Sequence, residues 1–187
     1  MTSLSNSKGF SMNSSTAAEP KNNGLCRLSR DFDLLRHTSL FAGLNLDVVK
    51  LFAYLSNHRT YHPDDRLIEQ GKKSQKAFIL IDGTVEISVN HKGKEVTLQL
   101  LKDEGFFGEL ALLAQFDWFF TVRAVTDVEI LSIDRAAFQK VIEKFPQHKD
   151  QLIERLIKLR VDRLANKTSF LLDRLLAAED QLAASQI

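Results

Sequence analysis

The sequence predicts a mainly β domain with helices at both ends, and three observations predict it. Between Arg59 and Asp134 the apolar residues fall into short alternating runs, such as Phe78-Ile79-Leu80-Ile81, Val85-Ile87-Val89 and Val96-Leu98-Leu100. Turn signals separate these runs at Pro63-Asp64-Asp65, Gly71, Asp82-Gly83 and His91-Lys92-Gly93. Before and after them the apolar spacing lengthens to that of a helix. Many short strands so spaced imply an all-β sandwich or roll.

Met1 to Gly24 is dominated by Ser and Asn with Phe10 as its sole aromatic, too little apolar surface to offset the entropy of ordering. It reads as a flexible arm, and the first domain boundary is placed at residue 30. Leu34, Leu35, Leu40, Phe41 and Leu44, then Leu46, Val49, Leu51, Phe52 and Leu55, suit short helices divided at Gly43 and Asn45. The β segment follows, and residues 31–146 form the predicted domain.

Asp134 is placed to cap a helix carrying Phe138, Val141, Ile142 and Phe145. Pro146 ends it and is tolerated in the first turn of another helix over 147–187. There Ile157, Val161, Leu164, Thr168, Leu171, Leu175, Ala178 and Leu182 recur in alternating steps of four and three. This heptad seam predicts a two-stranded coiled coil and a parallel homodimer; the alternative is a helix packed on its own domain.

Composition narrows the function. With 25 basic and 24 acidic residues the net charge is +1, so no global field recruits nucleic acid or an anionic membrane. Cys26 is the single cysteine, which excludes an internal disulfide and fits a reducing compartment, the cytoplasm. No apolar run approaches the ~20 residues that span a bilayer, so a membrane role is not expected. No catalytic set is visible, and the five histidines lack metal-ligand spacing; His58 and His62 flank a strand as surface or packing residues. The chain reads as neither an enzyme nor a metalloprotein.

Gly105-Phe106-Phe107-Gly108-Glu109-Leu110-Ala111-Leu112-Leu113, followed by Thr121-Val122-Arg123-Ala124, resembles the phosphate-binding cassette of the cyclic-nucleotide-binding family. Leu40-Phe41-Ala42-Gly43-Leu44, Ile68-Glu69-Gln70-Gly71 and the stretch Phe78 to Ile87 are similar to the family's opening helix, turn and hairpin. The resemblance covers about Leu34 to Ile157. It implies a cyclic-nucleotide-binding β-roll, jelly-roll-like, with short N-terminal helices and a long C-terminal dimerisation helix. The implied ligand is a cyclic nucleotide such as cAMP or cGMP, the implied role that of a regulatory sensor, and the implied partners a second copy and an unidentified protein. In the family's transcription factors a winged helix-turn-helix follows the long helix; none follows here, so direct DNA binding is not expected.

The cassette chemistry is intelligible. Gly108 lets the backbone approach a ligand, and the short helix begun by Glu109 aims unpaired N–H groups at an anion. By resemblance, Glu109 accepts a hydrogen bond from the ribose 2′-hydroxyl, while Leu110, the small Ala111 and Thr121 line the phosphate region. Relatives carry an arginine nine residues after this glutamate, forked onto the phosphate; here that position is Trp118, between Asp117 and Phe119. Losing that arm of a charge pair costs ~2–5 kcal/mol, about 30- to several-thousand-fold in affinity. Arg123 is the nearest guanidinium in sequence.

Phe116, Trp118, Phe119 and Phe120 admit three readings: a plug inside the roll, a pocket that stacks a planar ligand, or an exposed docking patch. Thr168-Ser169 is similar to the Thr-Ser pair with which the catabolite activator's long helix meets the purine. It reads equally well as a polar seam residue beside a solvated serine.

Overall fold

The computed structural model describes residues 22–102 and 105–184, with side chains from 26 to 102 and from 105 to 177. Helices α1 (Asn22–His37) and α2 (Leu46–Leu55) precede strands β1 (Asn57–Tyr61), β2 (Arg66–Ile68), β3 (Lys76–Asp82), β4 (Thr84–His91), β5 (Lys94–Lys102) and β6 (Phe106–Phe107). A 3₁₀ turn at Glu109–Leu112, β7 (Thr121–Ala124), β8 (Val128–Asp134), α3 (Arg135–Lys144), a 3₁₀ turn at Pro146–His148 and α4 (Lys149–Ala184) complete the chain.

Two antiparallel sheets, ordered β1-β8-β3-β6 and β2-β7-β4-β5, make the roll. The continuous apolar run of β3 follows from its position between two cores. Phe78 and Leu80 point into the roll with Ile68, Val85, Phe107, Val122 and Ile130. Ala77 and Ile79 point the other way, against Leu35, Phe41, Phe52, Phe138, Leu152 and Leu156 from the helices. β8 divides likewise, Ile130 inward and Leu131 and Ile133 toward the helices.

Three expectations need correction. The boundary expected at residue 30 falls inside α1, because Leu28, Phe32 and Leu35 recur at helical spacing and pack on the helical core. Residues 1–21 of the expected arm lie outside the described residues. Asp134 precedes α3 without capping it; its carboxylate instead accepts from the Asn57 amide at 3.2 Å and meets Lys76 at 3.4 Å. On β5, the edge strand, Val96, Leu98 and Leu100 are exposed rather than half-buried, since no described residue covers that part of the sheet.

α4 is ~54 Å long at 1.5 Å per residue. Leu152 and Leu156 are buried against the roll; beyond them Ile157, Val161, Leu164, Leu171 and Leu175 are all at least half exposed. The seam therefore faces away from its own domain. Ala178 and Leu182 of the seam lie outside the described side chains.

Candidate functional site

β6 pairs with β3 through Phe78–Phe107 and Ile79–Phe106, and this fixes where the cassette begins. Gly108 then takes φ +76°, and a Cβ there would lie 3.0 Å from the Trp118 ring and 3.1 Å from the Lys76 carbonyl. Only glycine fits both the backbone and the space. The 3₁₀ turn follows, with the Ala111 amide donating to the Gly108 carbonyl at 2.9 Å and Ala111 fully buried. Leu112 is buried and Leu110 partly so, as packing residues.

Arg135, the first residue of α3, braces the far end of the turn. Its Nε donates to the Ala111 carbonyl at 2.6 Å, and the same guanidinium reaches the carbonyls of Ser74 and Ala114.

Of the four aromatic residues, Trp118 and Phe120 lie inside the roll, Phe116 packs against them, and Phe119 does not. The Trp118 side chain is 6% exposed and belongs to the core inside the roll, edge-on to Phe116 with ring centres 5.1 Å apart and 5.3 Å from Phe120. Backbone bonds hold it there: its N–H donates to the Lys72 carbonyl at 2.8 Å, and its carbonyl accepts from Gly71 at 2.7 Å. Asp117 turns outward to Lys73 at 2.6 Å. Phe119 is 53% exposed and does not line the interior. The Thr121 hydroxyl accepts from the Gln70 amide at 3.2 Å.

Glu109 is 3% exposed, as a buried site residue should be, and it has an unforeseen partner. Arg163 of α4 donates from Nη1 to its Oε2 at 3.0 Å, and from Nη2 to the Phe106 carbonyl. Glu109 Oε1 is buried with no hydrogen-bond partner among the described residues. The missed signal was the stripe Leu152, Leu156, Leu159 and Arg163, in steps of four, three and four: the helix face that packs on the roll ends in a guanidinium. Thr168 and Ser169 lie further along α4, both exposed and with no hydrogen bond to the cassette.

Arg123 does not replace the missing arginine. It bridges Asp64 and Glu86, each at 2.7 Å, on the outer face of the second sheet. The Thr97 hydroxyl bond and then the Arg123 bond hold the Glu86 carboxyl below its usual range. Its lowered folded-state value means that this stabilisation is present above the unfolded value, about 4.3, and is lost as pH falls through the folded one. Glu86→Gln should therefore lower the melting temperature at neutral pH, with the difference from wild type closing in acid. A difference that stays unchanged as pH is lowered until the native protein unfolds would contradict this.

Residues 58–145 match the cyclic nucleotide-binding domain family. These residues are a cyclic nucleotide-binding domain. Over 142 residues the chain is 30% identical to the mouse potassium/sodium hyperpolarization-activated cyclic nucleotide-gated channel 2, covering 75% of this chain and 16% of that one. It is 29% identical over 124 residues to the cGMP-dependent protein kinase egl-4 of Caenorhabditis briggsae, covering 64% of this chain and 16% of the kinase. The chain thus spans about a sixth of these relatives' length. The catabolite activator protein of Thermus thermophilus superposes with a TM-score of 0.59 at 28% identity, covering 73% of this chain and 62% of that one. The cyclic nucleotide-binding domain here is of the regulatory kind that channels and kinases carry. Among the described residues no helix is long and apolar enough to cross a membrane, and no His/Cys/Asp/Glu group is arranged to hold a metal.

Proposed function

We propose that this chain is a dimeric regulatory module in which α4 reports the state of the cassette, while the chain's own aromatic side chains fill the nucleotide position. The observation that carries this reading is the contact of Arg163, on α4, with Glu109 and the Phe106 carbonyl, which ties the helix to the two ends of the Gly108 turn. Any event that moves Glu109 must break or reshape that contact and so alter how α4 lies on the roll. Beyond it, the exposed seam of Ile157, Val161, Leu164, Leu171 and Leu175 supports pairing with a second copy, with Thr168 as the polar member that sets register. Light scattering at tens of micromolar should give twice the chain mass of 21.2 kDa, falling to one chain mass in L164E/L171E. A monomeric wild type would contradict the pairing.

One observation favours a second reading, in which the cassette still takes a cyclic nucleotide. Glu109 Oε1 is a buried acceptor without a donor, and a ribose hydroxyl would supply one. Such a ligand must displace Trp118 and finds no arginine at that position, so its affinity should fall well below that of a cassette with its own arginine. Saturable calorimetric heat with cAMP or cGMP, abolished by Glu109→Ala, would establish this reading over the filled one.

A further inference from the structure

His58 on β1 stands where α1 meets the first sheet, and its side chain is 8% exposed. Both ring nitrogens face carboxylate oxygens. Nδ1 lies 3.2 Å from Oδ1 of Asp31 on α1, a side chain also 8% exposed, and Nε2 lies 2.6 Å from Oε1 of Glu129 on β8. Arg30, one residue before Asp31, forks onto both oxygens of Glu129 at 3.2 and 2.9 Å. Among the described residues, every hydrogen bond between α1 and the sheets belongs to this cluster. Leu28, Phe32 and Leu35 supply the apolar side of the helix's docking.

Proton counting makes this docking conditional. An imidazole nitrogen and a carboxylate oxygen at hydrogen-bond distance need a hydrogen between them, and a neutral imidazole carries one hydrogen for its two nitrogens. Two such contacts therefore require a second proton. Whether that proton sits on the ring or on Asp31, the closed cluster holds one more than a neutral imidazole and two free carboxylates, and it belongs to the group as a whole. Burial sharpens the requirement, because without the proton two acceptors face each other in a site shielded from water. The surrounding charge permits the uptake. Two carboxylates face the ring, one from α1 and one from β8. Against them, Arg30 is 61% exposed and engaged by Glu129, while Arg27 on α1 and Arg59 on β1, beside the same groove, are exposed and screened by water. Directly across the ladder from His58, β8 places the apolar Leu131.

We propose that this cluster is a proton-dependent latch, which holds α1 to the roll while His58, Asp31 and Glu129 share the second proton and loosens α1 when that proton leaves. The latch is independent of the cassette and of dimer formation. Its sign follows from linkage. The docked state binds more protons than the undocked one, so acid favours docking, and each rise in pH above the free imidazole value, about 6.5, weakens it. Free carboxylates titrate below about pH 5, so the range from about pH 6 to about pH 8 isolates the latch. Amide hydrogen exchange of the full chain, corrected for the intrinsic rate at each pH, reads it out. Across that range the protection of α1 around Asp31 should fall at least about threefold, and by no more than about tenfold per pH unit, the ceiling for one proton. Asp31→Asn should keep α1 docked, since its amide can donate to a neutral ring, and should abolish the pH dependence. His58→Gln, which has no titrating ring, should abolish it as well. His37, at the far end of α1, still titrates in both variants, so any change that it causes remains. A thermal melt checks that each variant folds. Wild-type protection that stays level across this range, or a slope equally steep in either variant, would overturn the proposal.

Discussion

Replacing Trp118 by alanine is expected to destabilise the protein by about 3–5 kcal/mol, a large part of the 5–15 kcal/mol typical of a folded domain. The estimate rests on where the indole lies. It is 6% exposed, touches the space above Gly108, and contacts two other rings, so its removal leaves a hole that the sheets cannot close without moving β3 or β6. Its backbone bonds to Lys72 and Gly71 survive the substitution, so the loss reports the side chain alone. Urea unfolding should show a lowered midpoint with little change in slope. Trp118→Phe, which keeps a ring against Phe116 and Phe120, should cost distinctly less. Phe119→Ala is the natural contrast: that ring is 53% exposed and its loss should be small. A Trp118→Ala loss below about 1 kcal/mol would mean that the indole is not a core residue.

The second large effect is expected at Arg163. Arg163→Ala leaves Glu109, 3% exposed, with neither carboxylate oxygen partnered, and leaves the Phe106 carbonyl without its side-chain donor. An orphaned buried polar group costs about 1–3 kcal/mol, and the loss belongs at the lower end because Arg163 itself is 40% exposed and partly screened. Glu109→Gln should be milder, since its amide oxygen still accepts from the guanidinium. A double-mutant cycle on the two positions should return a coupling that distant pairs lack. The functional readout is amide hydrogen exchange: the α4 turns around Arg163 should exchange faster in Arg163→Ala, while β4 and β7 stay protected. Unchanged exchange along α4 would remove the physical link between cassette and helix.

The parts legible in the sequence were those set by local pattern or by contiguous family motifs. Gly108 and Glu109 could be placed because the stretch Gly105 to Leu113 resembles the family's cassette, and the two sheets because turn residues punctuate alternating runs. The position of Trp118 could be counted from Glu109, but its direction could not: aromatic area is buried wherever the surrounding strands leave room, and those strands are distant in sequence. Arg163 was hidden for the same reason, since its partner Glu109 lies 54 residues earlier. α1 was masked by its polar composition, which diluted the helical spacing of Leu28, Phe32 and Leu35. On β5 the alternation was real, but an edge strand can alternate without a cover.

Trp118 is the single tryptophan, so its fluorescence tests directly whether the roll is filled by its own indole. The emission of the wild-type protein should be that of a buried indole, poorly quenched by acrylamide, and should stay unchanged as cAMP or cGMP is raised to millimolar concentration. A saturable shift or quench with either nucleotide, absent in Glu109→Ala, would show that the indole yields its place to a ligand and would contradict the account.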